Sequence, residues 1–96
     1  MNILVTYDVN TESKAGRRRL HKVAQTCKNF GQRVQFSVFE CSVDAAQYED
    51  LVAKLKKIIN PSSDSLRIYN LRGERDDFLQ CFGLDRHVDF EEPLVL

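Results

Sequence analysis

The opening ten residues, MNILVTYDVN, constrain this chain more than any other stretch: a run of strand-favouring residues stops at a carboxylate. Side chains alternate across a strand, so Ile3, Val5, Tyr7 and Val9 share one face, and Leu4, Thr6 and Asp8 share the other. The first set belongs against a core. Asp8 falls at the strand's end, where loops and helix starts gather. Aspartate forms strands poorly, and here it needs solvent, a hydrogen-bond donor or a cation to offset its desolvation. Two readings stand at this point: a water-facing or helix-capping residue, and a ligand for a hard metal ion.

The rest of the chain supplies what such a strand pairs with. Residues 10–13 are turn-like, and Ser13 is placed to N-cap a helix from Lys14 whose apolar residues Leu20, Val23, Ala24, Cys27 and Phe30 recur at helical spacing. Gly31 is expected as its left-handed C-cap. Residues 33–43 read as extended, with apolar residues on both parities; periodicity alone gives one long strand covered on both faces. Asp44 opens a second helix with Gln47 as capping-box partner. Its stripe is Tyr48, Leu51, Val52, Leu55 and Ile58, and Asn60 followed by Pro61 stops it. A polar turn (62–64), a clear strand (65–71), a charged turn (72–77) and a short strand (78–82) precede Gly83 and an acidic tail ending PLVL.

Two helices with one buried stripe each should cover one face of an antiparallel sheet. That is an α+β ferredoxin-like βαββαβ sandwich with an additional short C-terminal strand, provided the middle stretch breaks into a hairpin. Its 96 residues make a single domain, 1–96, with the tail 83–96 packing on its own or a partner protomer. The other sheet face stays bare and includes Leu4, Thr6 and Asp8, which predicts a homodimer through the sheets with Asp8 near the interface.

The formal net charge is zero but unevenly spread: residues 1–39 hold seven Lys or Arg against Asp8 and Glu12, and the remainder holds seven basic and twelve acidic residues. Neutrality argues against tight polyanion binding by bulk charge, while the basic first half leaves room for a local anion surface. Lys14 and the run Arg17, Arg18, Arg19 lie at the start of the first helix, where cations oppose the macrodipole; an anionic partner would offset that cost. Cys27, Cys41 and Cys81 form no CxxC pair and read as buried apolar residues of a reducing compartment. No stretch approaches the ~20 apolar residues that span a bilayer, and the opening residues lack the charged and small-residue flanks of a signal peptide, so a cytoplasmic protein without membrane contact is expected. His21 and His87 belong to no ligand spacing and read as surface residues.

MNILVTYDVNT, RRRLHKVAQTCKNFGQRVQFSVFECSVD and DSLRIYNL together resemble CRISPR-associated protein two, the small endonuclease subunit of the CRISPR adaptation machinery in antiviral defence, and are similar to its subtype I-C members. The resemblance extends over nearly the whole chain, including PLVL. It implies a homodimer of ferredoxin-like protomers, with the middle stretch split near Phe36 and Ser37 and C-terminal strands added to the partner's sheet. Asp8 matches the family's magnesium ligand and catalytic aspartate. Arg17, Arg18 and Arg19, with Lys14, become candidates for nucleic-acid contacts. Ser37, Phe39, Leu94 and Leu96 become candidates for the dimer interface. The implied partners are a CRISPR integrase subunit and double-stranded DNA or single-stranded RNA.

Mg2+ takes six oxygens, commonly one or two carboxylates with waters and phosphates; one Asp8 per protomer is thin, a two-fold axis would supply a second, and the pair is still not a complete site. No second carboxylate is spaced to share the metal within a protomer unless Glu12 folds back, and no general base is evident. Two function classes therefore stand side by side: a magnesium-dependent endonuclease on RNA or duplex DNA, and a non-catalytic dimeric scaffold that binds duplex DNA and bridges integrase dimers. A third, a ribonuclease toxin of the same fold, would inhibit growth without an integrase.

Overall fold

A computed structural model describes residues 1–73 and Gln80. The order is β1 (Asn2–Asp8), α1 (Lys14–Lys28), β2 (Gly31–Gln35), β3 (Val38–Ser42), α2 (Ala45–Ile58) and β4 (Ser65–Leu71). The strands form one sheet in the order β2-β3-β1-β4, with every neighbouring pair antiparallel. This is the βαββαβ sandwich expected from the two amphipathic helices. Apart from Gln80, the expected strand 78–82 lies outside the described residues, as do the tail 83–96 with Leu94 and Leu96, Cys81 and His87.

β1 is central because its alternation is the cleanest in the chain. Ile3, Val5, Tyr7 and Val9 are buried, joined by Phe39, Cys41 and Val43 from β3 and its exit, Val23, Ala24 and Cys27 from α1, and Leu51 and Leu55 from α2. Burial pushes the Cys27 thiol up to about 12 and the Cys41 thiol up to about 11, so both stay protonated and inert as nucleophiles. Among the described residues no helix is long and apolar enough to cross a membrane.

Both expected helix starts are present. Ser13 Oγ accepts from Gly16 N at 3.0 Å. Asp44 and Gln47 exchange both capping-box bonds, at 2.8 and 2.9 Å.

Three local expectations are corrected. Gly31 is no left-handed cap: α1 ends at Lys28, Asn29 caps it in right-handed geometry, and Gly31 begins β2 opposite Cys41. A Cβ there would collide with the Glu40 carbonyl and lie 2.6 Å from Cys41 Sγ, so close strand approach explains the glycine. Residues 33–43 are not one strand. They turn at Phe36 and Ser37 after a register irregularity between Arg33 and Gln35, and that phase change puts apolar residues on both parities although the helices cover only one face. Phe39, expected at a dimer interface, is fully enclosed by its own protomer's core and offers a partner no side-chain surface. Its odd-numbered register with Val5 places it on the helix side of the sheet.

Candidate functional site

The end of the sheet where β1 stops gathers the candidate residues. Asp8 pairs in register with Ser65, the first residue of β4, and Thr6 pairs with Val38, the first residue of β3. The hairpin tip at Phe36–Ser37, the start of α1 and the end of α2 therefore share this end. Asp8 is exposed, and among the described residues its carboxylate has no hydrogen bond or ion pair. Behind it, Tyr7 is core, stacked on Phe39 with ring centroids 6.3 Å apart. Burial raises the Tyr7 phenol above its ordinary range despite the opposing Arg33, whose guanidinium lies 5.2 Å from the Phe39 ring centroid. The Tyr7 hydroxyl donates to the Phe36 carbonyl at 3.3 Å, and Tyr7 N donates to the Ser37 carbonyl at 3.1 Å, so the hairpin tip is tied to the residue preceding Asp8. Phe36 itself lies in the turn and is 85% exposed.

The four candidate basic residues at the start of α1, Lys14 and Arg17 to Arg19, divide. Lys14, Arg17 and Arg18 are exposed; Arg17 Nη1 donates to the Thr11 carbonyl at 3.2 Å, which holds it over the β1–α1 loop. Arg19 turns back to Asp64, with Nε 2.8 Å from Oδ2 and Nη2 3.3 Å from Oδ1. His21 is exposed, and among the described residues it has no partner.

Asp64 is the residue that sequence reasoning missed; it read only as part of a polar turn. Its side chain is closed to solvent and takes, besides Arg19, the backbone N–H groups of Asn10 at 3.0 Å and Asn60 at 2.8 Å. The Arg19 guanidinium and those two amides hold its carboxyl down to about 2, against an opposing effect of burial. Asn10 lies two residues past Asp8, so this one carboxylate fixes where the Asp8 loop leaves the sheet. Gly16 completes the junction, because a Cβ there would collide with the Asn10 carbonyl. Arg19 and Asp64 are 45 residues apart in sequence, and no local signal links them.

An exposed carboxylate with free lone pairs suits one position of a hard, oxygen-seeking cation. Among the described residues, no three His, Cys, Asp or Glu side chains gather into a metal-binding group. The remaining ligands of a metal at Asp8 would thus come from water, from substrate phosphate or from another chain.

A central strand that ends in an open carboxylate, at the same end of a βαββαβ sandwich as the basic start of α1, defines the class of small α+β protein to which this chain belongs. The chain belongs to the CRISPR associated protein Cas2 family, whose family model matches residues 1–77. It is 57% identical over 96 residues to CRISPR-associated endoribonuclease Cas2 1 of Moorella thermoacetica, covering 100% of both chains. Over 95 residues it is 46% identical to CRISPR-associated endonuclease Cas2 of Halalkalibacterium halodurans, covering 99% of each. Among solved structures, Streptococcus pyogenes Cas2 at pH 6.5 superposes with a TM-score of 0.77 at 49% identity, covering 86% of this chain and 100% of that one.

Proposed function

We infer that this chain is a metal-dependent phosphodiester endonuclease of CRISPR adaptation, similar to subtype I-C members and working as a homodimer with Asp8 as its catalytic carboxylate. One observation carries the reading: Asp8 is an exposed carboxylate at the end of the sheet where α1 begins with the exposed Lys14, Arg17 and Arg18, and no described residue engages it. The names of the relatives, endoribonuclease and endonuclease, support the reaction class. The open sheet face, which carries Leu4, Thr6, Val38, Tyr69 and Leu71, supports a partner copy seated there, bringing a second Asp8 toward the first.

In this reading each Asp8 supplies carboxylate oxygens to Mg2+ and is itself oriented by the sheet register and the Asp64-anchored loop. When bound, the ion lowers the pKa of a coordinated water and offsets charge on the scissile phosphate. Lys14, Arg17 and Arg18 hold flanking phosphates of RNA or duplex DNA, contacts that read backbone, not sequence. Arg19 acts through Asp64 as a positioning residue.

Among the described residues no metal-binding group forms around Asp8, which favours a second reading, a scaffold that binds duplex DNA and an integrase without cutting. Purified wild type and Asp8→Asn, each given Mg2+ or chelator on labelled duplex DNA and single-stranded RNA, separate the two. Cleavage that requires both Asp8 and metal supports the nuclease. Unaltered duplex binding without any Asp8-dependent cleavage supports the scaffold.

A further inference from the structure

One carboxylate oxygen joins the start of α1 to the end of α2. Asp64 Oδ2 accepts from Arg19 Nε and from Asn60 N, both at 2.8 Å. Arg19 sits in the N-terminal half of α1, and Asn60 is two residues past the last residue of α2. α2 ends with the exposed Lys56 and Lys57. Five cations, Lys14, Arg17, Arg18, Lys56 and Lys57, therefore occupy one end of the helical layer. Among the described residues the exposed carboxylates of that end are Asp8 and Glu12, while Asp64 is enclosed and paired with Arg19.

The lysines of α2 are not equivalent. Lys54 is committed to Asp50 at 2.9 Å, with its ammonium 5.6 Å from the Phe30 ring centroid. Among the described residues Lys56 and Lys57 have no hydrogen bond or ion pair. Lysines in a last turn also complement the helix dipole, but that role needs no basic helix start beside them.

We propose that Lys56 and Lys57 form a second row of phosphate contacts, so that a nucleic-acid backbone crosses from the start of α1 to the end of α2. This rests on the reading of Lys14, Arg17 and Arg18 as phosphate contacts and extends it to an element with no assigned role. Packed helices lie ~8–10 Å apart, a distance matched by about three base steps at ~3.4 Å along a duplex. The contacts are electrostatic and sequence-independent, and the cation–phosphate pairs release counterions.

The test is fluorescence anisotropy of a labelled short duplex against wild type, Lys56→Gln/Lys57→Gln and Arg17→Gln/Arg18→Gln across ~50–200 mM salt. Each lost phosphate contact lowers the slope of log affinity against log salt by about 0.9. The lysine variant should therefore lose close to two units of slope, and its affinity deficit should shrink about tenfold over that salt range. Lys56→Arg/Lys57→Arg should restore the slope, which a merely structural lysine effect on α2 would not require. A lysine variant with the wild-type slope, alongside an arginine variant that loses slope, overturns the second row and leaves the α1 reading intact. Wild-type slopes in both variants overturn the α1 reading as well. Failure of the arginine replacement to restore slope also overturns the proposal.

Discussion

Asp8 and Asp64 stand at the same end of the sheet, one at the close of β1 and one just before β4, and their surroundings are opposite. Asp64 is sealed from solvent by an arginine fork and two backbone amides. Asp8 is exposed, and no described side chain answers its charge. A carboxylate whose acceptor sites are filled from within builds structure; one left open is available to a cation or a substrate. Asp64 holds the loop that begins two residues after Asp8, so the closed carboxylate fixes the frame in which the open one is presented.

Substitutions should separate the two carboxylates. Asp64→Ala strands the Arg19 guanidinium and two amides, and breaking such an enclosed pair costs about 3 kcal/mol. In a domain of this size that lowers the thermal midpoint by roughly 10–20 °C; a midpoint within a few degrees of wild type would mean that the junction is held by other contacts.

The same residue sets an acid dependence. Its folded-state carboxyl is lowered from the ordinary 3.8 to about 2, so the stability it contributes is complete above the ordinary value and is lost as pH falls through about 2. Melting followed from pH 5 downward should steepen in that window for wild type, and Asp64→Asn should remove that part of the slope.

Gly16→Ala tests the junction from the helix side. Alanine gains about 1 kcal/mol of helix propensity over glycine, yet its methyl meets the Asn10 carbonyl. A net loss of about 1–2 kcal/mol in denaturant unfolding is expected, and a more stable variant would show that the loop gives way freely. Asp44→Ala, remote from both carboxylates, should cost about 1 kcal/mol through the lost capping box, a reference for an ordinary local effect. Asp8→Asn should be the mildest in the same unfolding assay, within about 0.5 kcal/mol of wild type. A larger destabilisation would mean that Asp8, too, is structural.

The frame of this comparison is legible in the sequence to the extent that it is local. The period of MNILVTYDV gives the buried face of β1, and Ser13 and the Asp44/Gln47 pair give the helix starts, because each signal spans only a few residues. The hairpin at Phe36–Ser37 came only through family resemblance, since the register irregularity before it blurs the alternation. Phe39 read as an interface candidate for the same reason. Gly31 mimics a helix cap in sequence, while its actual constraint is a carbonyl on the neighbouring strand. Of the candidate site, Asp8 and the exposed Lys14, Arg17 and Arg18 were legible as residue types at a strand end and a helix start. The commitment of Arg19 was not, because its partner lies 45 residues away in a turn that looks like any other polar turn.

The most direct test of the open carboxylate is cleavage by wild type and Asp8→Asn side by side, on labelled RNA and duplex DNA with Mg2+ or chelator, using preparations matched by melting midpoint. The account predicts cleavage by wild type only with metal and none by a well-folded Asp8→Asn. Equal cleavage by both, or cleavage indifferent to chelator, would contradict it and place the chemistry away from Asp8.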